Sequence, residues 1–364
     1  MPQKRLVVLD DFRAIAITLV VAMHGFTTFF PRIETSNNPL FIPLLSGATG
    51  VTLFFILSGF LVTRPFIEAE LRGETVSLKG YALQRALRIL PLYYLAVLIA
   101  SLATGNTSKI IPALLFNAKG YDFAQYSTVW WSLIVEVHFY LLVPLLYLAC
   151  KQTNRNLLLS VLMLGWGTFY GAYALNLLPF SLQTRMQLGI SLLCQLHAFL
   201  VGFLLSILYS KKVFFEKRTL ALASTLVSST VLVVVLMPRM GNAIGFHAKF
   251  PLHALAESIL WGVTLYSCIV LGRSLLGAAG RFLARVSYSL YLVHMPVFYA
   301  FFIWHKAQPP ETTIAPALAL LLATAGATLL SAATYQLVEK PLLALKDRLK
   351  RQQPGRSEEQ WGNS

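Results

Sequence analysis

Two polar side chains interrupt the first apolar stretch, LDDFRAIAITLVVAMHGFTTFF at residues 9 to 30: Arg13 and His24. Eleven residues at 3.6 per turn come within about 20° of three whole turns, so both fall on one helix face, roughly 16 Å apart along the axis. Ionisable groups inside a bilayer are expensive and read first as functional. An imidazole exchanges protons near neutral pH, and a guanidinium grips phosphate or carboxylate as a fork. The bland alternative is a snorkelling Arg and a His bonded to a neighbouring helix.

A second constellation lies in WWSLIVEVHFYLLVPLL, residues 130 to 146. Ser132, Glu136 and Tyr140 recur every four residues and share a helix face, while His138 points elsewhere and reads as structural. A carboxylate beside an imidazole fixes its tautomer and raises its basicity, as a general base requires. The alternative is a buried Glu satisfied by a backbone or hydroxyl group. In YALQRALRILPLYY, residues 81 to 94, Arg85 and Arg88 are three apart on one face. They suit phosphate through bidentate hydrogen bonds, or they flank a span and meet anionic lipid. Ser58 and Gly59, in GVTLFFILSGFLVTR, suggest close helix approach; a Ser nucleophile has no base near it in sequence. His294, in RVSYSLYLVHMPV, either lines a cavity or bonds across helices. Glu339 reads as the partner of a cytoplasmic Arg, and Glu257 as a weaker candidate for an acceptor site.

These residues need a membrane scaffold to place them. The 364 residues are 56% hydrophobic and only 12% charged, against about 25% charged in soluble domains. Ten apolar spans of an all-α polytopic protein are expected, near 11–30, 47–66, 89–104, 130–149, 157–178, 188–209, 219–237, 253–271, 286–304 and 313–337. Segment 110–117 is too short to cross and suits the interface. The chain carries a formal charge of +15. Twenty-two of its 30 Lys and Arg fall in one set of loops and seven in the other, which accounts for the charge without nucleic acid and puts both termini in the cytoplasm. In that topology His24 and Glu136 each lie about six residues, roughly 9 Å, from the outer edge. The first span reads as uncleaved, since its run is too long for a signal peptide. Cys150, Cys194 and Cys268 show neither disulfide nor metal spacing. Residues 1–341 form one membrane domain; 342–364 form a polar cytoplasmic tail of disordered composition.

Five blocks in order, LDDFRAIAITLVVAMH, GVTLFFILSGFLVTR, QRALRILPLYYL, WWSLIVEVHFYLLVPLL and SYSLYLVHMPVFY, with a closing VEKPL, make the chain resemble the acyltransferase-3 family of bacterial integral-membrane O-acyltransferases. An Arg, ten residues and a His is that family's hallmark. The resemblance implies transfer of an acyl group, usually acetyl, from cytoplasmic acyl-CoA to a hydroxyl, typically of an extracytoplasmic glycan, in the bacterial inner membrane. It further implies His24 as the catalytic histidine, Glu136 as its support, Arg13 in the donor site, and Arg85 and Arg88 on the CoA phosphates. The reach from Arg13 to His24 is comparable to a pantetheine arm. Departures are LDDFRA for LDGLRG, Thr52 for a common Asp, Val137 for a common second Glu, and EKPL for ERPF. The hydrolase-like domain that follows the membrane part in many relatives is not expected here.

The expectation is therefore an acyl-CoA-dependent O-acyltransferase in which His24 deprotonates the acceptor and no metal takes part. Acceptor choice rests on outer loops 31–46, 105–129 and 238–252, with lipopolysaccharide, exopolysaccharide, peptidoglycan or a secreted glycoside as candidates. The alternative is a proton-coupled transporter using His24, Glu136 and His294.

Overall fold

A computed structural model describes residues 6–31, 46–117, 123, 126, 128–213, 218–236, 251–309 and 314–344. Its long helices are α1 (Val7–Phe29), α2 (Thr49–Arg72), α3 (Leu78–Thr104), a short α4 (Ile110–Leu114), α5 (Trp131–Gln152), α6 (Arg155–Ala174), α7 (Leu182–Gly189), α8 (Leu192–Ser210), α9 (Arg218–Leu236), α10 (Pro251–Leu271), α11 (Gly277–Lys306) and α12 (Pro316–Thr334). Among the described residues nine helical segments are long and apolar enough to cross a membrane. The protein is an all-α polytopic membrane protein. Every one of the ten expected spans coincides with a helix; α1, broken by Asp10, Asp11, Arg13 and His24, is the one outside the nine.

Helix ends differ from the apolar boundaries where charged residues extend a helix past the hydrocarbon. α2 runs on to Arg72, α3 begins eleven residues before its apolar run, and α11 begins at Gly277. Arg, Lys and Glu are good helix formers, and Arg64 adds an i,i+4 pair with Glu68 at 2.6 Å. Caps set the other limits. Ser77 accepts from the Gly80 amide, Asn154 from Leu157 and Ser181 from Thr184. The sixth span is two helices, α7 and α8, and the last passes into a wide turn at Tyr335–Glu339 before Pro341, which has no amide hydrogen for the ladder. Segment 110–117 contains α4, whose Ile111 is 69% exposed, while Tyr93 donates to the Ala113 carbonyl at 3.0 Å.

The chain divides into two compact units, with divisions inside α2 and α5 and in the connections before α3 and α11. Unit one holds α1, α3, α4, the start of α5, α11 and α12; α1 packs along α11, and α11 along α12. Its core includes Phe12, Ile17, Val20, Tyr93, Trp130 and Phe298. Unit two holds most of α2, the rest of α5, and α6 to α10. There Phe199 stacks between Phe55 and Phe139, with centroids at 4.7 and 4.1 Å. Two glycines let α2 and α8 touch backbone to backbone. A Cβ at Gly59 would sit 2.3 Å from the Phe199 carbonyl oxygen, and one at Gly202 would sit 2.1 Å from that of Ile56. Close packing through small residues, expected of Gly59, is what the structure shows.

Candidate active site

In unit one the site is built on α1 and α11. Asp11, in the first turns of α1, holds the turn that leads into α11: its carboxylate accepts from the Leu275 amide at 2.6 Å, the Leu276 amide at 3.3 Å and the Ser274 hydroxyl at 3.0 Å, and Ser274 in turn accepts from the Gly277 amide at 3.2 Å. A carboxylate on free amides just before a helix is favoured by charge and by hydrogen bonding. This clamp sets the register of the two helices. About three and a half turns further along α1, His24 Nδ1 meets His294 Nε2 at 3.2 Å. The rings are tilted by 37° with centroids 5.2 Å apart, an edge-on hydrogen-bonded approach, not a stack. His294 is fully buried, and its Nδ1 lies 2.9 Å from the Leu290 carbonyl oxygen. His24 is half-buried, and Thr28 donates to its backbone carbonyl at 2.6 Å.

The motif around His294 ties the rest of unit one to α11. Tyr288 donates to the Ile89 carbonyl at 2.7 Å. Ser289 donates to the Glu339 carboxylate. The Tyr291 hydroxyl donates to the Val129 carbonyl, so its oxygen accepts from Ser132, 2.6 Å away. Ser132 thus braces α5 against α11. Glu339 is buried. Arg85 is buried, with its guanidinium 5.7 Å from the Tyr81 ring centroid. Arg13 is half-buried on α1.

In unit two Glu136 is half-buried. One of its oxygens, Oε1, accepts from Tyr140 at 2.5 Å and also from Ser58. The shared face of Glu136 and Tyr140 is therefore real, and Ser58 joins them as a hydroxyl donor across from α2. Among the described residues, Oε2 has no hydrogen bond. His138 is exposed on another face of α5. Glu257 is fully buried. Next to it, Ser258 donates to the Ala254 carbonyl at 3.0 Å and so accepts from His197 Nδ1 at 2.9 Å. Sequence reasoning passed over His197, although a His within an apolar span is the signal that drew attention to His24.

The structure therefore brings His24 to His294, Ser132 to Tyr291, and Glu136 to Ser58 and Tyr140. Ser289 and Tyr291 were missed as contributors; their signal was the polar periodicity of SYSLYLVH, which places a hydrogen-bonding group on successive faces of one apolar helix. Of the outer loops expected to select the acceptor, residues 32–45, 118–122 and 237–250 lie outside the described residues, as does the tail from 345. Among the described residues no three His, Cys, Asp or Glu side chains gather as a metal site would need.

A family model described as an acyltransferase domain matches residues 7–336. Nodulation protein 10 of Rhizobium leguminosarum bv. viciae is 27% identical over 195 residues, covering 46% of this chain and 51% of that protein. The peptidoglycan O-acetyltransferase OatA of Listeria monocytogenes is 24% identical over 184 residues, covering 43% of this chain and 27% of that protein. The match thus spans about half of the first relative and about a quarter of the second. No solved structure matches.

Proposed function

Since the chain belongs to the acyltransferase-3 family, we propose that it moves an acyl group, acetyl in the first instance, from acyl-CoA to a hydroxyl of an extracytoplasmic glycan or glycoside. It does so in the bacterial cytoplasmic membrane, with both termini in the cytoplasm, as the Lys and Arg asymmetry supports. The observation that carries the reading is His24. It is an imidazole on a membrane helix whose Nδ1 is engaged by His294, leaving Nε2 for chemistry.

In this reading Nε2 takes the proton of the acceptor hydroxyl. The oxygen attacks the thioester carbonyl carbon, the C–S bond breaks, and the departing thiolate recovers the proton from Nε2. The products are an ester and a free thiol. Arg85 and Arg88 hold the CoA phosphates and Arg13 lies along the donor path. Glu136 is the carboxylate that supports catalysis. The likeness to a peptidoglycan O-acetyltransferase supports a glycan acceptor.

The test is acetyl-CoA binding to detergent-purified protein, wild type beside the double variant Arg85→Ala/Arg88→Ala. Saturable binding lost in the double variant is expected. A folded wild type that binds no acetyl-CoA would overturn the donor, and undiminished transfer by His24→Ala would overturn the catalytic assignment.

A further inference from the structure

We infer that His294 is the positioning residue of His24: a neutral imidazole that holds its partner in one tautomer and shares its charge during transfer. The inference rests on the acyltransferase reading for its consequence, but its geometry stands alone. A carbonyl oxygen has no proton to give, so the contact between His294 Nδ1 and the Leu290 carbonyl requires that Nδ1 carry the N–H. A neutral imidazole has one N–H, so His294 Nε2 is a lone pair. The nitrogen facing it at 3.2 Å, His24 Nδ1, must then be the donor. His24 consequently bears its proton on Nδ1, and its Nε2 is the bare basic nitrogen.

The opposite assignment fails on burial. For His24 Nδ1 to accept, His294 would have to be doubly protonated, a cation in a fully buried position. Among the described residues, those it bonds to or meets ring to ring are Leu290, Tyr291, Phe298 and His24. None of these is anionic, and a buried cation without a partner is strongly disfavoured. His294 thus does the work that a buried carboxylate does for the histidine of a hydrolytic triad. The difference is that it orients through a lone pair and places no fixed negative charge in the membrane.

The pair also relays charge. When His24 Nε2 accepts the acceptor's hydroxyl proton, the cation formed points Nδ1–H at the His294 lone pair. The charge then spreads over two rings, with the far end resting on the Leu290 carbonyl. As the thiolate leaves, it takes the proton from Nε2 and both rings return to neutral. No other reactant is consumed.

The deciding measurement is nitrogen NMR of protein labelled with 15N-histidine in lipid. His24→Gln identifies which of the seven histidines gives the signal. In wild type, His24 is expected to show a protonated Nδ1 and a bare Nε2; a protonated Nε2 overturns the inference. Release of CoA thiol from acetyl-CoA provides the second arm. His294→Phe is expected to lower kcat at least about tenfold, out of the roughly 10²- to 10⁴-fold that a general base supplies, with KM for acetyl-CoA unchanged. His294→Gln, whose amide oxygen can accept from Nδ1, is expected to recover most of that loss. Equal loss in both variants, or full rate in the Phe variant, would sink the positioning role. If wild type releases no thiol, the acyl-CoA donor falls, while the nitrogen spectrum still decides the tautomer.

Discussion

The histidine of unit one and the carboxylate of unit two are held by opposite means. His24 faces a nitrogen whose own orientation is locked by a helix carbonyl, so a rigid backbone ultimately decides where its proton sits. Glu136 faces two hydroxyls, Ser58 and Tyr140, both donating to the same oxygen. Hydroxyl hydrogens rotate to suit their partner. The first arrangement specifies a protonation pattern; the second fixes one carboxylate oxygen, while the other has no hydrogen bond among the described residues. A membrane interior, where unsatisfied polar groups are costly, accommodates both.

Substitutions can break this contrast. His24→Ala is expected to lower acyl transfer by about 10²- to 10⁴-fold, since a positioned general base contributes that much; assays in membrane vesicles, normalised to protein level, measure it. A residual rate near wild type would remove the asymmetry altogether. Glu136→Gln keeps an oxygen for both hydroxyls but removes the carboxylate, and a loss of roughly tenfold or more in kcat is expected in the same vesicle assay. Gly59→Ala forces α2 and α8 apart at a backbone contact. A stability loss of about 1–3 kcal/mol is expected, read as a lower thermal midpoint in detergent. Asp11→Ala leaves the Leu275 and Leu276 amides before α11 without their acceptor and should cost about 1–3 kcal/mol, seen in the same assay. The smallest effect belongs to Ser58→Ala. Losing one of two donors is worth about 1 kcal/mol, or roughly fivefold, in the transfer rate. A Ser58→Ala loss as large as that of Glu136→Gln would mean the hydroxyls do more than hold the carboxylate.

Much of this was legible in the chain. A bilayer imposes long apolar helices, so the nine described segments able to cross it could be read from hydropathy, as could helical α1, and the polar residues inside them stood out because few are tolerated there. The ends of α3 and α11 were not legible, because helix continues through Leu78–Arg88 and Gly277–Arg285 after hydrophobicity stops. The partner of His24 was hidden for a different reason. Depth pointed to Glu136, but depth ranks candidates without saying which helix lies alongside. His294 is 270 residues away, and only the packing of α1 along α11 brings it near. Ser132 illustrates the same limit: it shares a helical stripe with Glu136, yet its bond runs to Tyr291. Periodicity finds faces, and tertiary contacts decide what each face meets.

The bond from the Leu275 amide to Asp11 links positions 264 residues apart. At translation rates of about 5–20 residues per second, the ribosome needs roughly 13 to 53 s to make the strand of chain between them. During that interval the first helix is already in the membrane with its carboxylate and its imidazole waiting for partners that have not been synthesised.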